Sequence, residues 1–325
     1  MLNIFSPLHF APFNIALEEY ILRHFDEDVF LLYINDPCII VGRFQNTLGE
    51  INYPWVQEHK IPVVRRLTGG GTVFHDSGNL NFSFLMNGAD DAAGFAKYTL
   101  PVLEVLNDLG VPAVLQGRND LTIHGMKFSG NAKLVQNGKT LQHGTILFSS
   151  NVNHLQEALK VNPIKFADKA VKSVRARVTN VSEHLLQPIQ LQDFIGLVRS
   201  KIHSLYPNCR DYFLSAEDKT EVQNLVESKY DTWDWNFGKS PNYNLSHQFR
   251  SAAGTIELYL DVDKGFIRQL KIFGDFFAHR ELVELERAFQ GVPHDLKAVR
   301  KVLDNIDLPS FFQGLKVEEL AQAMF

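Results

Sequence analysis

Strand-like runs in this chain come mostly in pairs joined by turn residues, and helical spacing is confined to a few stretches. Near the start, Asn14 stands where it can cap a short helix carrying Glu18, Glu19 and Leu22. Two β-rich runs follow, Val29–Ile34 and Cys38–Val41, split by Asn35, Asp36 and Pro37, and that spacing predicts a hairpin. Residues 61–67 read as a strand leading into Gly69, Gly70 and Gly71. Beyond the glycines, residues 72–74 are β-prone and Asp76, Ser77 and Gly78 make a turn. Leu80, Phe82 and Phe84 then alternate with Asn79, Asn81 and Ser83, the mark of a half-buried strand. A helix is predicted over residues 95–109, stopped by Gly110 and Pro112. Residues 121–148 form a β region folded at Asn137-Gly138.

Hairpins rather than regular βα repeats favour an α+β fold: mixed or antiparallel sheets flanked by helices. The aromatic stretch at 233–241 ends in turn residues and reads as the close of a first domain, 1–244. After it, Ile256, Leu258 and Leu260 alternate, Asp263-Lys264-Gly265 turns, and residues 266–273 return as a strand. Apolar spacing at Leu296, Val299, Val302, Leu303 and Ile306 predicts helix, so 248–325 reads as a small C-terminal α+β domain.

Length supports this division, since 325 residues exceed one ordinary core. A net charge of -5 supplies no basic excess for phosphate backbones, which argues against nucleic acid as a partner. No run reaches the roughly 20 apolar residues of a membrane span, and residues 1–13 lack the pattern of a secretory signal. Two cysteines, Cys38 and Cys209, make neither a disulfide framework nor a four-ligand zinc site. A cytoplasmic protein is the expectation.

Candidate chemistry sits in three segments. In Arg65-Arg66-Leu67-Thr68-Gly69-Gly70-Gly71-Thr72, glycines let the backbone approach a ligand closely, and arginines match phosphate or carboxylate. The pattern is neither a P-loop nor GxGxxG, and a plain glycine-rich turn with solvated arginines fits it too. Gly117-Arg118-Asn119-Asp120 is followed by Gly125-Met126-Lys127-Phe128-Ser129-Gly130-Asn131-Ala132, where Lys127 is either a surface lysine or an ammonium presented into a site. Gln142-His143-Gly144-Thr145 offers a histidine beside a glycine. His75 and Asp76 are neighbours on a strand and point to opposite faces, so they are no acid–base pair.

In their order, these segments resemble the lipoate–protein ligase A family. Asn79-Leu80-Asn81-Phe82, Val41-Gly42-Arg43-Phe44-Gln45-Asn46, residues 173–180 and Trp235-Asn236-Phe237-Gly238 extend the likeness over nearly the whole chain. The resemblance implies a biotin/lipoate ligase-like catalytic domain with a C-terminal accessory domain. It implies that ATP activates lipoate to lipoyl-AMP, which is passed to an acceptor lysine. The acceptors implied are apo lipoyl domains of 2-oxoacid dehydrogenase E2 subunits and the glycine-cleavage H protein, met by a monomer.

By matching position, Lys127 contacts both the α-phosphate and the lipoyl carbonyl as an electrostatic clamp. Arg66, Gly71, Thr72, Val73 and Phe74 correspond to the nucleotide-contacting set. Arg66, Gly69, Gly70, His143 and Lys127 correspond to the lipoate side. Asp120 is the expected partner of Mg²⁺. Residues 173–180 correspond to a loop that closes over the adenylate, and Val41 and Leu17 are the expected walls of the lipoate slot. The resemblance leaves three rivals: an ATP-independent octanoyl- or lipoyl-transferase, which would use a cysteine thioester in several of its forms; a biotin–protein ligase; and a non-catalytic lipoate-binding regulator.

Overall fold

The computed structural model describes residues 1–88, 94–159, 178–237, 245–263 and 265–325. The strands in chain order are β1 (Leu2–Phe5), β2 (Val29–Ile34), β3 (Cys38–Val41), β4 (Val63–Arg65), β5 (Val73–His75), β6 (Asn79–Asn87) and β7 (Ala113–Gln116). They continue with β8 (Asp120–Ile123), β9 (Met126–Gln136), β10 (Lys139–Leu147), β11 (Arg210–Asp211), β12 (Leu245–Ser251), β13 (Gly254–Asp263) and β14 (Phe266–Gly274). Among the described residues they build an eight-stranded sheet, β11-β1-β2-β6-β10-β9-β8-β7, and two three-stranded sheets, β4-β3-β5 and β12-β13-β14. β1 runs parallel to β2 and β11, and β3 parallel to β4; the other pairings are antiparallel. The fold is the expected α+β architecture with mixed sheets.

Strand alternation divides the large sheet into two unlike faces. Phe30, Leu32, Ile34, Leu80, Phe82, Phe84 and Ile146 pack on one side against the helices Ala96–Asp108 and Leu191–Leu205. Leu31, Tyr33, Leu85 and Leu141 face the other side, under the helices Ala11–His24 and Ala216–Leu225. Polar residues on this second face create the site. In register across β2, β6 and β10 lie Tyr33, Asn81 and Thr145, and two residues along lie Leu31, Ser83 and His143. Covered by β4-β3-β5, Tyr33, Asn81, Thr145 and His143 of these rows line a cavity instead of meeting solvent.

Several local expectations are corrected. Asn79, Asn81 and Ser83 are buried like their apolar neighbours, so β6 is covered on both faces rather than half-buried. Val29–Ile34 and Cys38–Val41 are strands, but not a hairpin: β2 joins the large sheet, whereas β3 crosses to pair with β4 and β5. Asn14 is not a cap. The helix begins at Ala11 after Phe10, and Asn14 lies buried inside it. The strand expected over 61–67 is only Val63–Arg65. The Asn137-Gly138 turn is present, with both residues at positive φ (52° and 72°), the geometry that closes a two-residue hairpin.

Residues 253–324 enclose a core of their own, from Ile256, Leu258 and Leu260 through Phe289 and Val299 to Met324. The end of the aromatic stretch and the expected boundary at 244 lie outside the described residues.

Candidate active site

A cavity of about 120 Å³ lies between the large sheet and β4-β3-β5. Tyr33, Asn81, His143, Gly144 and Thr145 come from the large sheet, with Gly130, Asn131, Ala132 and Lys127 from β9. Ile15, Ile40, Val73 and His75 line it from the opposite side, and Arg66 with Gly70, Gly71 and Thr72 lines its glycine loop. Among the expected walls, Leu17 belongs to the apolar core under the first helix and Val41 to the core beyond β3; neither lines the cavity. Ile40 lines the cavity in place of Val41 because the next side chain along a strand faces away, and Ile15 does so in place of Leu17 because residues two apart on a helix lie on different faces.

Lys127 pairs with Asp120, Nζ to Oδ1 at 2.7 Å, across β8 and β9. The amine lies over the backbone of Gly130, where a Cβ would be 3.0 Å from Nζ. Thr179 N–H donates to the Lys127 carbonyl (3.0 Å), which ties the strand to the chain leaving the expected closing loop. Residues 173–177 of that loop lie outside the described residues.

The adjacent arginines have separate duties. Arg65 donates to the carbonyls of Gly42, Arg43, Gln45, Trp235 and Asn236, and Asn236 Oδ1 accepts the Arg65 N–H. The Trp235-Asn236 motif is thus a socket for a buried arginine. Arg66 donates to Thr68 Oγ1 (2.9 Å), the Ile40 carbonyl (3.3 Å) and the carbonyls of Gly69 (2.6 Å) and Gly71 (2.8 Å). It staples the glycine loop while placing charge at the cavity. Burial pulls both guanidinium groups down to about 10, which leaves them cationic at neutral pH.

Beneath the loop, His143 Nε2 meets Thr68 Oγ1 at 2.7 Å and His143 Nδ1 faces the Glu18 carboxyl at 2.9 Å. Glu18 is fully buried and also accepts from Tyr33 Oη (3.1 Å) and Ser83 Oγ. This network was missed in the sequence, although a glutamate pair within an apolar helical run was its available signal. His75 also lines the cavity; its lack of pairing with Asp76 is as expected, for Asp76 instead accepts from Gly78 N–H and Asn151 N–H.

Phe74, in the expected nucleotide-contacting set, does not bring its side chain to the cavity. Its side chain is buried with Ile39, Val41 and Val56 in the core beyond β3, so only its backbone is available to a nucleotide. Gly69 likewise faces the C-terminal region: a Cβ there would be 2.2 Å from the Phe276 carbonyl oxygen. Gly70 N–H donates to that oxygen (3.2 Å), and Arg118 donates to Ala253 O (3.1 Å) while lying over the Phe277 ring at 4.7 Å. Arg43 pairs with Glu281 at 2.9 Å. Cys38 and Cys209 line no part of this cavity, and burial raises both thiols above their ordinary range. No group of three or more metal-ligating side chains is found among the described residues, and no helix there is long and apolar enough to cross a membrane.

The fold and site define a class: a mixed-sheet enzyme with an internal slot for a small molecule beside a cation-bearing glycine loop. The lipoyl protein ligase A/B catalytic domain matches residues 11–203, and the bacterial lipoate protein ligase C-terminus matches residues 240–324. Lipoate-protein ligase LplJ of Bacillus subtilis is 40% identical over 317 residues, covering 96% of each chain. The structure of P. falciparum LipL1 in complex with lipoate is similar with a TM-score of 0.81 and 25% identity, covering 99% of this chain and 98% of that one. A bi-partite lipoate protein ligase from Thermoplasma acidophilum, solved in an analysis of its lipoylation system and E2 lipoyl domain, is 27% identical. Its TM-score is 0.65, and the match covers 75% of this chain and 98% of that one. The chain belongs to the lipoate–protein ligase family, whose members activate lipoate with ATP and attach it to protein.

Proposed function

We propose that lipoate occupies the cavity with its carboxylate at Lys127, while ATP lies along Arg66, Gly70, Gly71, Thr72 and Val73. The observation that carries this reading is the placement of Lys127 and the arginine-stapled glycine loop on one cavity. Lipoate carboxylate attacks the α-phosphate, pyrophosphate leaves, and lipoyl-AMP forms. Two anions must approach each other, so fixed positive charge is needed before reaction. Lys127 supplies it, held by Asp120 until the phosphates arrive. The acceptor lysine's neutral amine then attacks the acyl carbon and AMP departs, with Lys127 on the carbonyl oxygen as negative charge develops there.

Mg²⁺ enters this scheme as part of the ATP complex. One carboxylate, Asp120, with phosphate and water suits that ion, which needs no all-protein cage. Apo lipoyl domains of E2 subunits, and the glycine-cleavage H protein, are the proposed acceptors, met in the cytoplasm by a monomer. Neither thiol lines the cavity and burial raises both, so they give a cysteine thioester route no support.

The test incubates the protein with ATP-Mg²⁺, lipoate and an apo lipoyl domain, then weighs the acceptor. A lipoyl mass gain that requires ATP is expected. Gain from an acyl-carrier donor without ATP would replace this reading with the transferase.

A further inference from the structure

His75 is 3% exposed, lines the cavity, and has no hydrogen-bond partner at Nε2 among the described residues. Its other nitrogen ends a chain of amides whose orientation is fixed. Asn14 Nδ2 reaches the carbonyls of Leu8 (2.8 Å) and Ile34 (3.2 Å), which can only accept, so that end of Asn14 is its NH₂. The same NH₂ donates to Asn35 Oδ1 at 2.8 Å. The opposite end of Asn35 is therefore its own NH₂, and this donates to His75 Nδ1 at 3.0 Å. Because Nδ1 accepts, a neutral ring carries its proton on Nε2. Burial, helped by the charge of Arg66, pulls His75 down to about 3, so the ring is neutral at ordinary pH. A buried N–H donor thus belongs to a residue of the cavity wall and has no protein acceptor among the described residues, a costly arrangement unless a ligand supplies one.

Its position along the cavity narrows what that ligand atom is. Asn35 follows β2, whereas Lys127 is on β9, and the sheet order between them is β2-β6-β10-β9. Three strand spacings amount to roughly 14 Å. The Lys127 side chain spans part of that distance, and an alkyl chain spans the rest. With a carboxylate at Lys127, the far end of the bound acid reaches His75. There lipoate has a sulfur-containing ring able to accept weakly, and octanoate of equal carbon count has only methyl and methylene groups.

We infer that His75 is a specificity-determining residue whose Nε2–H bonds the dithiolane of lipoate and disfavours the plain fatty acid. The inference rests on the placement of lipoate proposed above. Octanoate in this slot leaves the N–H buried and unpaired, and loss of such a bond separates analogues more sharply than a change in apolar contact does.

The experiment measures pyrophosphate release with lipoate and with octanoate for wild type and His75→Phe. The variant's KM for lipoate is expected to rise about fivefold, the effect of one modest hydrogen bond. Its KM for octanoate is expected to fall, because the orphaned donor is gone; kcat moves little for either acid. Shifts in the same direction for both acids, or in neither, would overturn the inference alone. Wild-type protein that activates neither acid would overturn the ligase reading as well. Should the variant fail to fold, the wild-type imidazole ¹⁵N–¹H spectrum decides. An Nε2-protonated His75 whose resonance moves with lipoate more than with octanoate is expected, and an Nδ1-protonated ring would refute the proposal.

Discussion

Lys127 and Arg66 both bring positive charge to the cavity, yet their neighbours give them different work. Arg66 commits its donors to Thr68 and three backbone carbonyls, so its removal strikes loop structure as well as charge. Lys127 is held by one half-exposed carboxylate and can turn to a ligand. Lys127→Ala should therefore retain wild-type stability while losing pyrophosphate release by about 10²- to 10³-fold, the worth of one preorganised donor. Wild-type-like release would remove the clamp role. His75 makes a second residue-scale prediction. Its folded pKa, about 3, lies below its ordinary 6.5, so in that interval the unfolded chain binds a proton that the folded chain refuses. Stability falls as pH drops from about 6.5 towards 3 and returns as pH rises. Between pH 6.5 and 5 the loss is on the order of 2 kcal/mol, and His75→Phe should lack it. Urea midpoints at the two pH values read the difference, and parallel changes in both proteins would refute it. The glycines and small polar residues around Lys127 left it open between a surface lysine and a site ammonium, and the ordered resemblance decided it. Sequence reading passed over His75 because the partner considered was its neighbour Asp76, whereas the true partner, Asn35, comes from the crossing between β2 and β3, 40 residues away in sequence.

At the scale of elements, strand periodicity located β2, β3, β6 and the Asn137-Gly138 hairpin, because alternation and turn chemistry are local. It failed where pairing is decided by tertiary contact. The run from Asn35 to Pro37 looked like a hairpin turn but carries the chain between sheets, and this crossing opens the slot that Tyr33 and Ile40 line. Polar positions on β6 looked solvent-facing because pattern alone does not distinguish water from a polar cavity. The glycine loop has a similar hidden constraint: a Cβ on Gly42 would lie 2.0 Å from the Gly70 carbonyl oxygen. Gly42→Ala should thus force the two loops apart and cost about 1–3 kcal/mol, the range for overpacking. Gly71→Ala has nothing within 4 Å of the added carbon and should match wild type in stability, whatever its activity. Thermal melts of the pair test this, and equal midpoints would show that the Gly42 contact relaxes without cost.

The whole molecule joins two regions at the loop that touches the nucleotide in the proposed scheme. One has apolar cores on both faces of the large sheet and beyond β3; the other has a core drawn from residues 253–324, as the alternation at Ile256, Leu258 and Leu260 anticipated. What the sequence could not display is their contact. The Phe276 carbonyl accepts from Gly70 N–H, Phe44 O accepts from Gly274 N–H at 2.6 Å, and Arg118 reaches across to Ala253. A C-terminal region with its own apolar interior has the means to fold alone, and its polar seams with the glycine loop suit an association that can be remade. We therefore propose that 1–244 and 248–325 are separable units, with the second completing the first. The catalytic piece alone, ending at residue 244, should fold and bind lipoate. Without Phe276 to hold Gly70, it should release pyrophosphate at least about tenfold more slowly, the effect of roughly one lost hydrogen bond in the site. Adding the separately made piece 245–325 should restore the rate in a saturable way, and Gly69→Ala in the catalytic piece should weaken that restoration, because its Cβ meets the Phe276 carbonyl. If the catalytic piece were as fast as the full chain, the C-terminal unit would have no part in activation. If both pieces folded but added nothing to each other, their contact at Gly70 would be incidental to the reaction.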